Sequence, residues 1–260
     1  MNRGIRYLIL ICSFLVFLSL PGYSFELKGL QPVQPDGGFS GFSAATSGKG
    51  VFSAGIDLEK AIDVDYYRTT AKAGYGITSR MDVLISYPYI FDWDEELDGS
   101  EDVNIGIKQN LFRENKYAPS VAYLLKVALS TGKREFSTDG SAGAGIILSK
   151  KLGPFSSHLN LIYSEPFDDD FENQFEIILS VALRAAHDFD VIAELYALNS
   201  YFNDEFDTVE GRLGYRIKTT ENIYTVLGAG HDFKNDDPTF RLMVSFNFIF
   251  DGQNSAPDSQ

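Results

Sequence analysis

From Met81 to Tyr89 every second residue is apolar, namely Met81, Val83, Ile85, Tyr87 and Tyr89. The residues between them, Asp82, Leu84, Ser86 and Pro88, are mixed. A two-residue period puts alternate side chains on opposite faces of a β-strand. The rhythm recurs and predicts twelve strands, at roughly 50–59, 65–76, 81–92, 102–112, 119–129, 141–151, 155–164, 174–186, 189–199, 208–217, 222–231 and 239–250. No helical period competes with it. Short connections fall at Thr78–Arg80, Leu152–Pro154, His187–Asp188 and Thr219–Glu221, with a medium one at Glu114–Tyr117. Longer ones fall at 93–101, 130–140, 165–173, 200–207 and 232–238. Short turns on one side and longer loops on the other are the pattern of outer-membrane barrels.

The distribution of charge sharpens this reading. One parity carries Phe52, Ile56 and Leu58, then Ile105 and Ile107, then Leu125 and Val127. It continues with Phe175, Leu179 and Leu183, with Leu213 and Tyr215, and with Leu242, Phe246 and Phe248, and it is free of mid-strand charge. A Lys or Arg facing lipid at mid-depth costs about 2–4 kcal/mol, which accounts for the absence. The opposite parity carries Asp57, Arg68, Lys72, Asp82, Lys108, Lys126, Glu176, Arg184, Asp190, Glu194, Glu210, Arg212, Arg216 and Arg241. A soluble sandwich would turn the apolar face inward, and large aromatics on nearly every strand would overfill it. The expected fold is therefore all-β, a transmembrane antiparallel up-and-down barrel of about twelve strands. Tyr67, Tyr75, Tyr89, Trp93, Phe155, Tyr163, Phe189 and Phe250 lie near strand ends and suit interfacial girdles.

The ends divide the chain further. Arg3 and Arg6 precede an apolar run, Tyr7–Leu20, too short to span a bilayer as a helix, with small residues at Gly22 and Ser24. This predicts an export signal over 1–24. A Gly/Ser-rich segment, 25–48, is expected to be a flexible N-terminal tail or a small plug, the tail being favoured. The barrel is expected over 49–250 and a polar tail over 251–260. The single cysteine lies in the leader, so the mature chain offers no thiol chemistry. Removing Arg3 and Arg6 from 22 Lys+Arg leaves 20 against 36 Asp+Glu, a formal charge of −16. That balance argues against nucleic acid as a partner.

Three stretches resemble one family. Ala73–Val83 (AGYGITSRMDV), Glu101–Leu111 (EDVNIGIKQNL) and Ala128–Lys133 (ALSTGK) are similar to the first hairpin, a Gly-Asp strand and a loop entry of the outer-membrane transporters linked to meta-pathway phenol degradation. Glu101-Asp102 stands where that family has Gly-Asp, and Ser130 where it has Pro. The resemblance implies a porin-like transporter; phenolic cargo does not follow from it, and hydrophobic or aromatic compounds are one class of the small solutes expected. The final strand, ending Phe246-Asn247-Phe248-Ile249-Phe250, resembles the signal read by the outer-membrane assembly machinery, although ten residues follow it.

Function is expected to reside in the lumen. The candidate lining residues are Arg68, Lys72, Lys108, Lys126, Glu176, Arg184, Glu194, Glu210, Arg212, Arg216 and Arg241. Twelve strands enclose more space than an eight-stranded barrel and less than a sixteen-stranded porin. The interior is thus either a narrow conduit or closed by ion pairs. Arg184, Arg212 and Arg216 form a basic ladder for anions or pair with Glu176, Asp190, Glu194 and Glu210, and pairing is favoured because adjacent strands put such partners in reach. Asp94, Glu96, Asp98 and Gly99 match the opening of a calcium loop, but Ile105 stands where the closing Glu belongs. No metal, cofactor or enzymatic activity is expected. His158, His187 and His231 have no supporting motif, and Ser157 points away from His158. The expected function is an outer-membrane channel for small solutes in a Gram-negative bacterium. Its partners would be lipid, lipopolysaccharide and the assembly machinery. The alternative is a closed barrel with a structural, binding or adhesive role through acidic loops. In this reading Leu179→Arg blocks assembly or costs a few kcal/mol, and Ser180→Arg is milder because the lumen can solvate or pair it.

Overall fold

The structure, a computed structural model, describes residues 27–62, 66–93, 97–201, 206–234 and 240–251, with Asp92, Trp93 and Asp251 described in the backbone alone. The leader and nearly all of the C-terminal tail lie outside these residues, as do Asp94, Glu96, Asp236 and Asp237.

Twelve long strands close into one antiparallel barrel. They are β1 (Val51–Ala61), β2 (Tyr67–Thr78), β3 (Met81–Trp93), β5 (Val103–Phe112), β6 (Ser120–Leu129), β7 (Ser141–Leu152), β8 (Phe155–Pro166), β9 (Gln174–Ala186), β10 (Phe189–Leu198), β11 (Thr208–Thr220), β12 (Ile223–Asp232) and β13 (Phe240–Asp251). Each pairs with the next, and β13 returns to β1 with Val51 opposite Asp251 and Ala61 opposite Arg241. Closure leaves no unpaired edge among the staves, the condition for a sheet surrounded by hydrocarbon. A short strand, β4 (Leu97–Ser100), is added to the end of β3 and is the one strand the periodicity does not predict. It spans too few residues to show a period.

The barrel is inside-out relative to a soluble protein. Phe52, Ile56, Leu125, Leu179, Leu213, Leu242, Phe246 and Phe248 are exposed. Arg68, Asp82, Lys108, Glu210 and Arg212 are buried. Tyr67, Tyr75, Phe155, Tyr163 and Phe250 are exposed near strand ends, and Phe189 stacks on Tyr215 at 5.5 Å.

The long-loop end is built over. Loop 130–140 folds inward, and Phe136 is buried with Ala61, Tyr66 and Ile90. Asp102 holds this loop by accepting from Thr131 N at 3.1 Å, Gly132 N at 2.9 Å and Ser137 Oγ at 2.8 Å.

The favoured expectation for the N-terminal segment is corrected. Residues 27–50 run inside the barrel. Lys28 N donates to Glu101 at the long-loop end, and Thr46 and Gly50 bond Ser79 and Gly76 at the short-turn end. Glycine and serine content suggests a mobile tail, but small residues also let a backbone pass close to a packed wall.

Candidate functional site: the plugged lumen

The wall meets this segment with side chains of one parity. On β10, the Glu194 carboxylate accepts from three successive amides, Phe39, Ser40 and Gly41, each at 3.0 Å. It also accepts from Ser180 Oγ at 2.6 Å. A Cβ at Gly38 would overlap both Glu194 and Ser180, so glycine is required for this approach. On β8, Asn160 clamps Phe42 from both sides, Oδ1 accepting its N–H at 2.7 Å and Nδ2 donating to its carbonyl at 3.0 Å. Lys108 Nζ donates to Ser43 O at 2.9 Å and also to Ala45 O. Ser86, Asn110 and Tyr224 bond the backbones of Gln31, Ala44 and Val33. Such contacts matter because a buried backbone group left unpaired costs about 1–3 kcal/mol.

Apolar contacts complete the fit. Leu30, Val33, Phe42 and Ala44 join Leu84, Ala122, Leu124, Ile147 and Ile162 in one buried cluster. Phe39 packs against Ala182, Ile192, Tyr224 and Val226.

Behind the plug, charges alternate around the wall. Glu101 meets Arg68 Nε at 2.7 Å, and Arg68 meets Glu59 at 3.2 Å. Arg241 then bridges Glu59 at 3.6 Å and Glu210 at 3.8 Å. Arg212 bridges Glu210 at 2.8 Å and Glu194 at 3.1 Å. The link from Arg241 on β13 to Glu210 on β11 passes over β12 at Gly230, where a Cβ would overlap Glu210. Lys28, from the plug itself, joins the chain at Glu59, 2.6 Å away. Buried charge is tolerated only when paired in this way. Burial pushes the Glu101 carboxyl above its ordinary range, against the pull of Arg68.

Every predicted lining residue therefore has an ionic partner. Lys72 pairs with Asp57 at 2.7 Å, Lys108 with Asp82 at 3.8 Å and Lys126 with Glu176 at 2.7 Å. Arg216 and Arg184 share Asp190, at 3.2 and 3.3 Å. Pairing of Arg184, Arg212 and Arg216 prevails over a free basic ladder, with one difference: Glu176 serves Lys126. Arg184 stands at the short-turn mouth with its side chain 57% exposed, rather than deep in the lumen. Ser180 does not face the solvated lumen expected for it: it is buried against Glu194 and Gly38, so an Arg there must displace the plug.

Apart from Ser180, sequence reasoning left the neutral half of the wall out of the lining: Ser86, Asn110, Ser149, Asn160 and Tyr224. Their shared parity with the charges is the signal that finds them. It also missed that Ser149 lies opposite His158 across the β7–β8 hairpin, Oγ to Nδ1 2.8 Å. Ser149 Oγ also accepts the Ala44 amide at 2.8 Å, so this hydroxyl anchors the plug. Among the described residues no carboxylate orients the ring from its other nitrogen, as a hydrolytic triad needs.

No protein-family model matches the chain, and no curated protein matches it in sequence. The phenol-degradation resemblance thus rests on its three short motifs. Solved structures match its shape. An outer-membrane channel from Pseudomonas putida F1 superposes with a TM-score of 0.61 at 13% identity, over 80% of this chain and 98% of that one. The KdgM porin gives 0.57 at 8% identity, over 76% and 99%. The NanC porin gives 0.57 at 10% identity, over 75% and 98%. The chain shares the closed twelve-stranded barrel of these outer-membrane proteins.

Proposed function

We propose that the chain is a channel of a Gram-negative outer membrane, passing small polar solutes when residues 27–50 leave the lumen. The observation that carries this reading is the contrast between two surfaces. The outer belt is apolar and suits only lipid, including the lipid part of lipopolysaccharide. The inner wall bonds the plug through side chains that water solvates equally well once the plug departs. An interior needed only for rigidity has no use for Arg68, Lys108 and Arg212, since well-packed apolar residues do as well or better than buried ion pairs. The charged wall supports polar cargo over aromatic cargo. Phe250, closing β13, supports delivery by the assembly machinery.

Occupation of the lumen by residues 27–50 favours a second reading, a permanently closed barrel acting through its acidic loops. Planar-bilayer recording separates the two. The channel reading expects brief openings of the full chain and frequent ones of Glu194→Ala. Silence of both, with the barrel folded, favours the closed structural barrel.

A further inference from the structure

A cavity of about 720 Å³ lies at the short-turn end, between the turn at Gly153 and the plug at Asp36. This size is ordinary for a small-molecule site. In a chain with a formal charge of −14, its lining holds five Lys/Arg side chains against three Asp/Glu. Arg184 and Arg216 divide one carboxylate, Asp190, between them. Each guanidinium carries five donor hydrogens, so the pair keeps donors for a further anion.

His158 lines the same cavity and is only 4% exposed. The Ser149 hydroxyl receives the Ala44 amide through one lone pair and lies 2.8 Å from His158 Nδ1, and we assign the tautomer in which the hydroxyl hydrogen goes to Nδ1. A neutral imidazole then carries its hydrogen on Nε2. That atom is buried and has no hydrogen-bond partner among the described residues. A buried donor of this kind is costly unless something accepts from it.

We infer that this vestibule binds small organic oxyanions, carboxylate or phosphate, with oxygens facing Arg184 and Arg216 and one drawn to His158 Nε2 by a small turn of the ring, which uncovers that buried atom to the guest. The inference rests on the channel reading for why such solutes arrive, and binding itself needs no conduction. Asp36, an exposed carboxylate within the vestibule, would compete with the guest.

The test is titration of ¹⁵N-histidine-labelled full-length protein in detergent micelles, at fixed ionic strength, with succinate, inorganic phosphate and neutral succinamide. The His158 Nε2 resonance shifts saturably with at least one anion and not with succinamide, and the tighter anion identifies the head group. Asp36→Asn, which removes a like charge, binds the anion several-fold tighter. His158→Phe, confirmed folded by its heat-modifiable gel mobility, binds about tenfold weaker, as loss of one charge-assisted hydrogen bond requires. No saturable shift with either anion, an equal shift with succinamide, or unchanged affinity in both variants overturns the inference. Binding without bilayer conductance would defeat the channel reading alone, and conductance without binding would defeat only this one.

Discussion

Removing the Glu194 carboxylate should unplug the barrel without unfolding it. Glu194→Ala deletes the acceptor of three plug amides and one of the two carboxylates paired with buried Arg212 among the described residues. Breaking one side of a buried pair costs about 3–5 kcal/mol. Arg212 keeps Glu210 at 2.8 Å, which favours the lower end, but each abandoned amide adds to the cost. These costs fall on the plugged state alone, because in an open lumen water solvates both the guanidinium and the amides. About 3–5 kcal/mol moves the plugged-to-open ratio by roughly 10²- to 4 × 10³-fold. The barrel hydrogen bonds are untouched, so heat-modifiable mobility should remain. The reporter is Ser43→Cys, a near-isosteric change at a plug position only 3% exposed, in a mature chain expected to hold no other cysteine. Its reaction with a small thiol reagent should be slow in the parent background and accelerate by about that factor with Glu194→Ala. An unchanged labelling rate in a folded variant would refute the reasoning that Glu194 holds the plug.

Leu179→Arg should cost about 2–4 kcal/mol of membrane insertion, read as loss of folded protein in outer-membrane fractions, because Leu179 is exposed mid-strand on the apolar belt. Ser180→Arg should insert but expel the plug, giving fast Ser43→Cys labelling, since its side chain meets the Glu194 carboxylate and the plug at Gly38 and Gly41. Equal insertion failure in both variants would contradict the assigned faces. An impermeant thiol reagent on intact cells should label Asp98→Cys, in the long-loop end, and spare Ser79→Cys, in a short turn. The reverse result would invert the topology.

The barrel was legible because one physical constraint acts on every stave. Lipid on one side and polar groups on the other impose a strict alternation, and a one-residue slip would expose Arg216 or Lys126 to hydrocarbon. The pairing of Arg212 and Arg216 with acids on neighbouring strands was legible for the same reason, since cross-strand distance follows from parity. The plug was not. Residues 27–50 have no secondary-structure period, and their order comes from partners far along the chain, such as Glu194 and Asn160. Ser149 and His158 escaped notice because nine positions separate them in sequence while the hairpin register sets them side by side. Arg184 shows the limit of parity: it faces inward, yet its place near a turn leaves it at the mouth.

A reversible tether tests the plugged-channel account most directly. A Cβ at Gly41 would touch Ser180 Oγ, so cysteines at these two positions are within disulfide reach. Gly41→Cys/Ser180→Cys, oxidised and reconstituted in a planar bilayer, should be silent, and addition of reductant to the same membrane should start discrete openings. Identical conductance before and after reduction would show that ions do not pass where residues 27–50 lie, and would contradict the account.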